Sequence, residues 1–296
     1  MAGKSPLINL NNGVKMPALG LGVFAASAEE TASAIASAIS SGYRLIDTAR
    51  SYNNEAQVGE GIRNSGVDRA EMFVTTKLFN GDYGYERALR AFDESLGRLG
   101  LDYVDLYLLH WPTKDWNATI QSWKAAEKIL GDGRARAIGV CNFLEDQLDE
   151  LIAASDVVPA VNQIELHPYF AQKPLLAKNR ALGIVTEAWS PIGGAINDGD
   201  GDNHGGRKHP LTDPVITTIA EAHGRSAAQV ILRWHFQNDV VAIPKSVNPE
   251  RIAKNIDVFD FALSDGEMAQ LDELDTGVRI GPDPRDVDTS SFAEFV

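Results

Sequence analysis

The chain of 296 residues has one cysteine, Cys141, so no disulfide can form within it. That fits a reducing compartment, and the expected location is the cytoplasm. Long apolar runs are also missing. None reaches the roughly 18 residues that a membrane helix needs, and the opening stretch, MAGKSPLINLNNG, has no long apolar segment. Basic residues are scarce: 27 Lys and Arg stand against 41 Asp and Glu, a formal net charge of -14. DNA, RNA and anionic membrane faces are repelled at long range. A small anion can still bind where the few cations cluster. The Gly-x-Gly-x-x-Gly fingerprint of a Rossmann nucleotide site does not occur. No linker or shift in composition divides the chain, so residues 1–296 are expected to form a single domain. No apolar surface stripe stands out, so a monomer is expected.

What is present is alternation. Two apolar runs at 7–10 and 14–17 flank Asn12-Gly13, which predicts a β-hairpin. Eight further short apolar runs follow, at 19–23, 43–47, 72–77, 104–110, 137–142, 160–164, 183–190 and 240–245. Helical patterns lie between them. Ser27 and Glu30 form a capping box ahead of Ala32, Ile35 and Ile39. Leu89, Phe92, Leu96 and Leu99 recur at amphipathic spacing. The apolar runs are nearly continuous, as parallel strands covered on both faces should be. The pattern predicts the α/β class: a single (β/α)8 TIM barrel with an N-terminal hairpin and an irregular C-terminal tail over 277–296.

Active sites of such barrels sit at the C-terminal ends of the strands. Those ends carry Asp47, Lys77, His110, Asn142, Gln163, Trp189, Ser190 and Lys245. Tyr52 overhangs them from the loop after the second strand. A free tyrosine has a pKa of about 10 and is a poor acid unless a neighbouring cation favours its phenolate. Lys77 supplies that cation, and a buried lysine in turn wants a carboxylate such as Asp47. His110 is then placed to hold the oxygen that receives the proton.

The stretch GYRLIDTARSYNNE resembles the aldo-keto reductase signature. The matches continue in family order with Thr76-Lys77, Leu108-Leu109-His110-Trp111-Pro112, Gly139-Val140-Cys141-Asn142-Phe143, Asn162-Gln163-Ile164-Glu165 and Ile243-Pro244-Lys245-Ser246. The likeness is to bacterial members of the 2,5-diketogluconate reductase type. It implies an enzyme that uses NADPH to reduce an aldehyde or ketone, such as a small dicarbonyl or keto-sugar, to an alcohol. It implies a catalytic tetrad of Asp47, Tyr52, Lys77 and His110, with Tyr52 the general acid. It places the cofactor on Gly22, Val23, Cys141, Asn142, Gln163, Trp189, Ser190, Lys245, Ser246, Val247, Arg251 and Asn255. Phe24, Phe79 and Trp111 would join Tyr52 as an aromatic wall around the substrate. Cys141 stands where the family commonly has Ser, Phe79 where many members have Trp, and Lys254 where an acid is common. The implied partner is a small carbonyl substrate, with no nucleic acid, no membrane and no metal.

Three other readings compete. Asp198, Asp200 and Asp202 alternate in the Gly/Asp-rich loop 197–207, but Asn203 and His209 stand where a calcium loop needs Gly and Glu. The same loop is positioned to fold over the cofactor pyrophosphate. Asp47, His110 and His167 near strand ends suggest a metal-dependent barrel hydrolase, although no close His pair supports it. A non-catalytic, redox-sensing NADPH-binding subunit is the third, and the intact tetrad argues against it.

Overall fold

The structure is a computed structural model that describes residues 4–194 and 209–293. Strands β1 (Leu7–Asn9) and β2 (Lys15–Pro17) pair antiparallel as the hairpin expected from Asn12-Gly13. Strand–helix units follow: β3 (Leu21–Gly22), α1 (Ala28–Ser41), β4 (Leu45–Asp47), α2 (Glu55–Asn64), β5 (Phe73–Leu78), α3 (Tyr85–Leu99), β6 (Val104–Leu109), α4 (Trp116–Gly131), β7 (Ala135–Cys141), α5 (Glu145–Ala153), β8 (Val161–Glu165), α6 (Lys173–Ala181) and β9 (Val185–Trp189). The chain continues through α7 (Pro214–His223), α8 (Ala227–Gln237), β10 (Val241–Ala242), α9 (Pro249–Asn255) and α10 (Asp265–Asp272). Strands β3 to β10 pair in parallel and in chain order. The sheet closes through bridges from Leu19 to Ala242 and from Gly22 to Lys245. A Cβ on Gly22 would lie 2.8 Å from the Ile243 carbonyl, so only glycine lets this seam close. The result is the (β/α)8 barrel.

Local sequence accounts for the element ends. Ser27 and Glu30 exchange hydrogen bonds in the expected capping box, and Gly42 at φ 102° ends α1 in a left-handed cap. The sequence pattern suggests one helical stretch before the last strand, around Val230 and Trp234. The structure has two helices there. Asp213 caps α7 with Pro214 in its first turn, and Gly224 at φ 62° separates it from α8.

Alternation along each strand sorts side chains to the two faces of the barrel wall. Ile46, Val74, Tyr107, Ile138 and Ile164 point out to the helices and join the larger core. Leu45, Phe73, Leu106, Leu108, Ala137, Val161 and Val241 point in, where Leu10 and Met16 of the hairpin segment pack against them. The barrel floor is therefore apolar and plugged by the hairpin. The same alternation, carried two or four residues further along, delivers Asp47, Lys77, Cys141, Gln163, Glu187 and Trp189 to the interior above that floor.

The C-terminal tail crosses the barrel mouth. Thr276 N donates to Tyr169 O, Lys114 N donates to Val287 O, and Asn80 Nδ2 donates to Asp288 O and Ser291 O. The expectations for loop 197–207, both calcium binding and closure over a pyrophosphate, fall outside the described residues.

Candidate active site

Lys77 is fully buried at the end of β5. Its ammonium donates to Asp47 Oδ1 at 2.6 Å, to Thr48 O at 3.0 Å and to Tyr52 Oη at 3.2 Å. Three donors meet three acceptors, so the buried cation is satisfied. Tyr52 comes from the turn after β4, which ends with Asn53 at φ 54°. Asn54 anchors that turn: it donates to Val23 O at 2.9 Å and accepts from Thr48 Oγ1 at 2.8 Å. His110 follows β6, with its ring centroid 5.8 Å from that of Tyr52 and its Nδ1 3.5 Å from Ser51 Oγ. The four tetrad residues of the sequence analysis thus lie together at one end of the barrel.

Burial is the largest influence on each of these groups. It raises the Asp47 carboxyl against the opposing pull of Lys77. With a cation 2.6 Å away, we take Asp47 as the ionised partner. The Lys77 ammonium is held above its ordinary range by Asp47 and Tyr52, although burial pulls it down. His110 is pushed well below its usual value by burial and then by Lys77, so its imidazole is neutral at neutral pH. Tyr52 is pushed up to about 12. That differs from the simple expectation that Lys77 makes the phenol a better acid. Part of the ring meets solvent in the mouth, but the hydroxyl lies deep, and its desolvation outweighs the cation. Lys77 limits the rise rather than reversing it.

The residues assigned to a nicotinamide form the floor of the mouth. Asn142 and Ser190 follow β7 and β9 at φ 66° and 49°. Such non-glycine left-handed positions re-aim a side chain at a local cost and cluster at functional sites. Asn142 Oδ1 accepts from Trp189 Nε1 at 2.7 Å, which fixes the indole, while its Nδ2 donates to His110 O at 3.1 Å. Gln163 Nε2 is used by Asp47 and by Glu187. Among the described residues, its Oε1 has only the Cys141 thiol, at 3.7 Å. That weakly engaged acceptor fits a carboxamide N–H, so the donor set suits a nicotinamide. Gly22 and Val23 line the adjoining seam end, where Val23 N donates to Asp47 O.

Beyond this same seam end, where Gly22 bridges to Lys245, the side chains of Lys245, Arg251 and Lys254 are all exposed. Asn248 caps α9 by accepting from Glu250 N and Arg251 N, and Ser246 Oγ accepts from Asn248 N. Asn255 is buried and Val247 packs partly against the core. This is a cluster of cations on a very acidic protein. Chemically it suits a phosphate.

The aromatic wall extends beyond the residues expected. Phe24 sits edge-on to Tyr52 at 5.0 Å, and Trp111 lies 6.5 Å from Trp189. Phe79 is buried, and its ring would be 2.5 Å from a Cβ on Gly81, so it packs back on its own turn. The sequence analysis missed Phe292, which the tail brings to 5.4 Å from Trp111. It also missed Glu187 and Glu165. Glu187 lies in register with Gln163, a position that the inward alternation from Val185 to Trp189 signals. Glu165 accepts from Ile280 N at 2.6 Å and from Gly281 N at 2.8 Å, clamping the tail beside Trp189. His167, a ligand candidate in the hydrolase reading, pairs with Glu165 at 3.1 Å. Among the described residues, no three His, Cys, Asp or Glu side chains converge as a metal-holding group.

Comparison with known proteins bears on the chain as a whole. The profile of the Aldo/keto reductase family matches residues 18–276. A Pseudomonas putida protein named morphine 6-dehydrogenase is 99% identical over 296 residues, covering 100% of both chains. A Bacillus subtilis glyoxal reductase is 47% identical, over 94% of this chain and 95% of its own. The crystal structure of a Bombyx mori aldo-keto reductase in complex with NADP superimposes with a TM-score of 0.88 at 37% identity, covering 97% of this chain and 99% of that one.

Proposed function

The chain belongs to the aldo/keto reductase family, and from that premise we propose that it interconverts a secondary alcohol and a ketone, with the 6-hydroxyl of morphine as substrate. It is an oxidoreductase that uses NADP(H) on carbonyl compounds, as the family and its solved members do. The substrate and the roles of the residues are our reading.

The single observation that carries the mechanism is the Lys77 ammonium bridging Asp47 and Tyr52 at 2.6 and 3.2 Å. When bound, NADP(H) gives or takes the hydride. Tyr52 gives a proton to the carbonyl oxygen in reduction and takes it back in oxidation. Lys77 stabilises the phenolate that reduction leaves behind, and Asp47 holds Lys77 charged in a dry site. Neutral His110 donates a ring N–H to the same oxygen. Asn142 and Gln163 hold the nicotinamide amide, and Trp189, fixed by Asn142, supports the ring. Cys141 fills the floor beside them. Lys245, Ser246 and Arg251 take the 2′-phosphate, with Asn255 near the adenine.

Two observations favour a bulky apolar alcohol. One is the 99% identity to a morphine 6-dehydrogenase. The other is the mouth itself, where Phe24, edge-on to Tyr52, and Ile280, held by Glu165, are each 57% exposed. A small dicarbonyl, the substrate class expected from sequence, remains the second reading because the glyoxal reductase is 47% identical.

The test is to supply morphine with NADP+, and separately glyoxal with NADPH, and follow the cofactor's near-ultraviolet absorbance. Turnover of morphine is expected. Turnover of glyoxal alone would transfer the assignment to the second reading. Tyr52→Phe should lower kcat at least about a hundredfold in both directions, the lower range of general acid–base effects. Full activity in that variant would refute the assigned acid.

A further inference from the structure

Glu187 is a fully buried carboxyl that the mechanism above leaves unused. It points into the barrel from β9, opposite Gln163 of β8. Its Oε2 accepts from Gln163 Nε2 at 2.7 Å. The same amide nitrogen donates to Asp47 Oδ2 at 2.9 Å, and Asp47 Oδ1 accepts from Lys77 Nζ at 2.6 Å. The other oxygen, Oε1, has no hydrogen-bond partner among the described residues. One amide therefore joins two carboxyl groups, with a single lysine to balance both. If both were ionised, this dry cluster would carry a net negative charge.

The charged and titratable groups that act on Glu187 are Asp47 from β4 and Lys77 from β5. Glu187 in turn bears on the Cys141 thiol of β7. The residue facing it from β10 is the apolar Val241. Gln163 also has the weakly engaged acceptor that suits the nicotinamide amide. A charge arriving at that amide is thus one side chain away from Glu187. The oxidised nicotinamide ring carries a positive charge and the reduced ring is neutral.

We propose that Glu187 is a positioning residue that distinguishes the two redox forms of the cofactor: acting through Gln163, its ionised form favours NADP+, whereas its protonated form favours neither. This rests on the NADP(H) reading and on Gln163 contacting the nicotinamide amide. Without cofactor, burial and the Asp47 charge raise Glu187 to about 8. A cation bound nearby lowers that value, so NADP+ binding releases a proton to solvent. Affinity for NADP+ then rises as pH climbs towards about 8 and is level above it, while affinity for NADPH does not follow. The remaining groups of the site titrate elsewhere. Tyr52 is at about 12, the Lys77 ammonium and the Cys141 thiol are raised, and His110 is well below its usual value. The phosphates are common to both forms and cancel in the ratio of their affinities.

The experiment measures dissociation constants of NADPH and NADP+ by calorimetric titration between about pH 6 and about pH 9.5, a span that brackets the shifted carboxyl. The ratio Kd(NADPH)/Kd(NADP+) should rise about tenfold for each unit by which NADP+ lowers the Glu187 pKa. In Glu187→Gln it should be level. A second measurement needs no variant. Titration of the wild-type protein near pH 8, in two buffers of different ionisation enthalpy, should show proton release with NADP+ and none with NADPH. A level ratio in the wild type, an unchanged slope in Glu187→Gln, or equal proton release with both forms overturns the proposal alone. Failure of both forms to bind at any pH overturns the cofactor reading, and this proposal with it.

Discussion

Replacing Lys77 with Met tests the central arrangement, because the two side chains are similar in length and only the charge is lost. Lys77 Nζ lies 3.2 Å from Tyr52 Oη. At an effective dielectric constant of about 20, a unit charge at that distance stabilises the phenolate by about 5 kcal/mol. If the proton is about half transferred at the transition state, the barrier rises by about 2.5 kcal/mol and kcat falls roughly 70-fold. Complete transfer would make the loss several thousandfold. The same substitution strips Asp47 of the partner that opposes its burial, so Asp47 should take up a proton at neutral pH. Losing one side of a buried pair costs up to about 3–5 kcal/mol, or a fall of about 5–8 °C in Tm for a chain of this length. The assay is single-turnover carbonyl reduction with NADPH already bound, alongside a thermal melt. Adding Asp47→Asn to Lys77→Met should recover part of the lost Tm but none of the rate, which separates folding from chemistry. A Lys77→Met enzyme that stays folded and keeps kcat within about threefold of wild type would refute the reasoning, since even partial phenolate stabilisation predicts more.

Two other substitutions probe the ends of the site. Arg251→Ala should weaken NADPH binding by roughly 10- to 150-fold, the range for a hydrogen bond to a charged group, and leave NADH binding within about twofold; equal losses for both cofactors would remove Arg251 from the phosphate site. Gly281→Ala should dislodge the tail, because the new Cβ would come within 2.5 Å of Trp189 Cη2 and 3.0 Å of Glu165 Oε2. Overpacking of this kind costs about 1–3 kcal/mol, enough to raise KM for a bulky substrate several-fold and to speed proteolysis within 277–292; unchanged proteolysis would show that the clamp is not what holds the tail.

How much of this was legible in the sequence follows from what kind of contact each residue makes. The barrel could be read because its evidence is local. Each strand run announces itself by composition, and each is followed by its own helix. Asp47, Lys77, His110 and Gln163 could be read because they end such runs. Even Tyr52 could be reasoned to, since a phenol, an ammonium and a carboxylate have complementary needs. The tail could not be read to the same depth. Glu165 accepts from Ile280 and Gly281, and Phe292 reaches Trp111 across the mouth. Such contacts depend on where an irregular segment lands, and no periodicity records that.

Glu187 is a different kind of omission, because its signal was present. Val185, Glu187 and Trp189 alternate inward along β9, and the second of the three puts a carboxyl into an apolar barrel beside Gln163. A strand read as a continuous apolar run hides its one acid. Read with period two, it shows a charge that burial must either neutralise or match to a partner. Among the described residues, the cation that acts on it is Lys77, already bonded to Asp47 and Tyr52. Glu187 therefore holds its proton until another positive charge comes within reach, and the end of the barrel is where the oxidised cofactor would bring one.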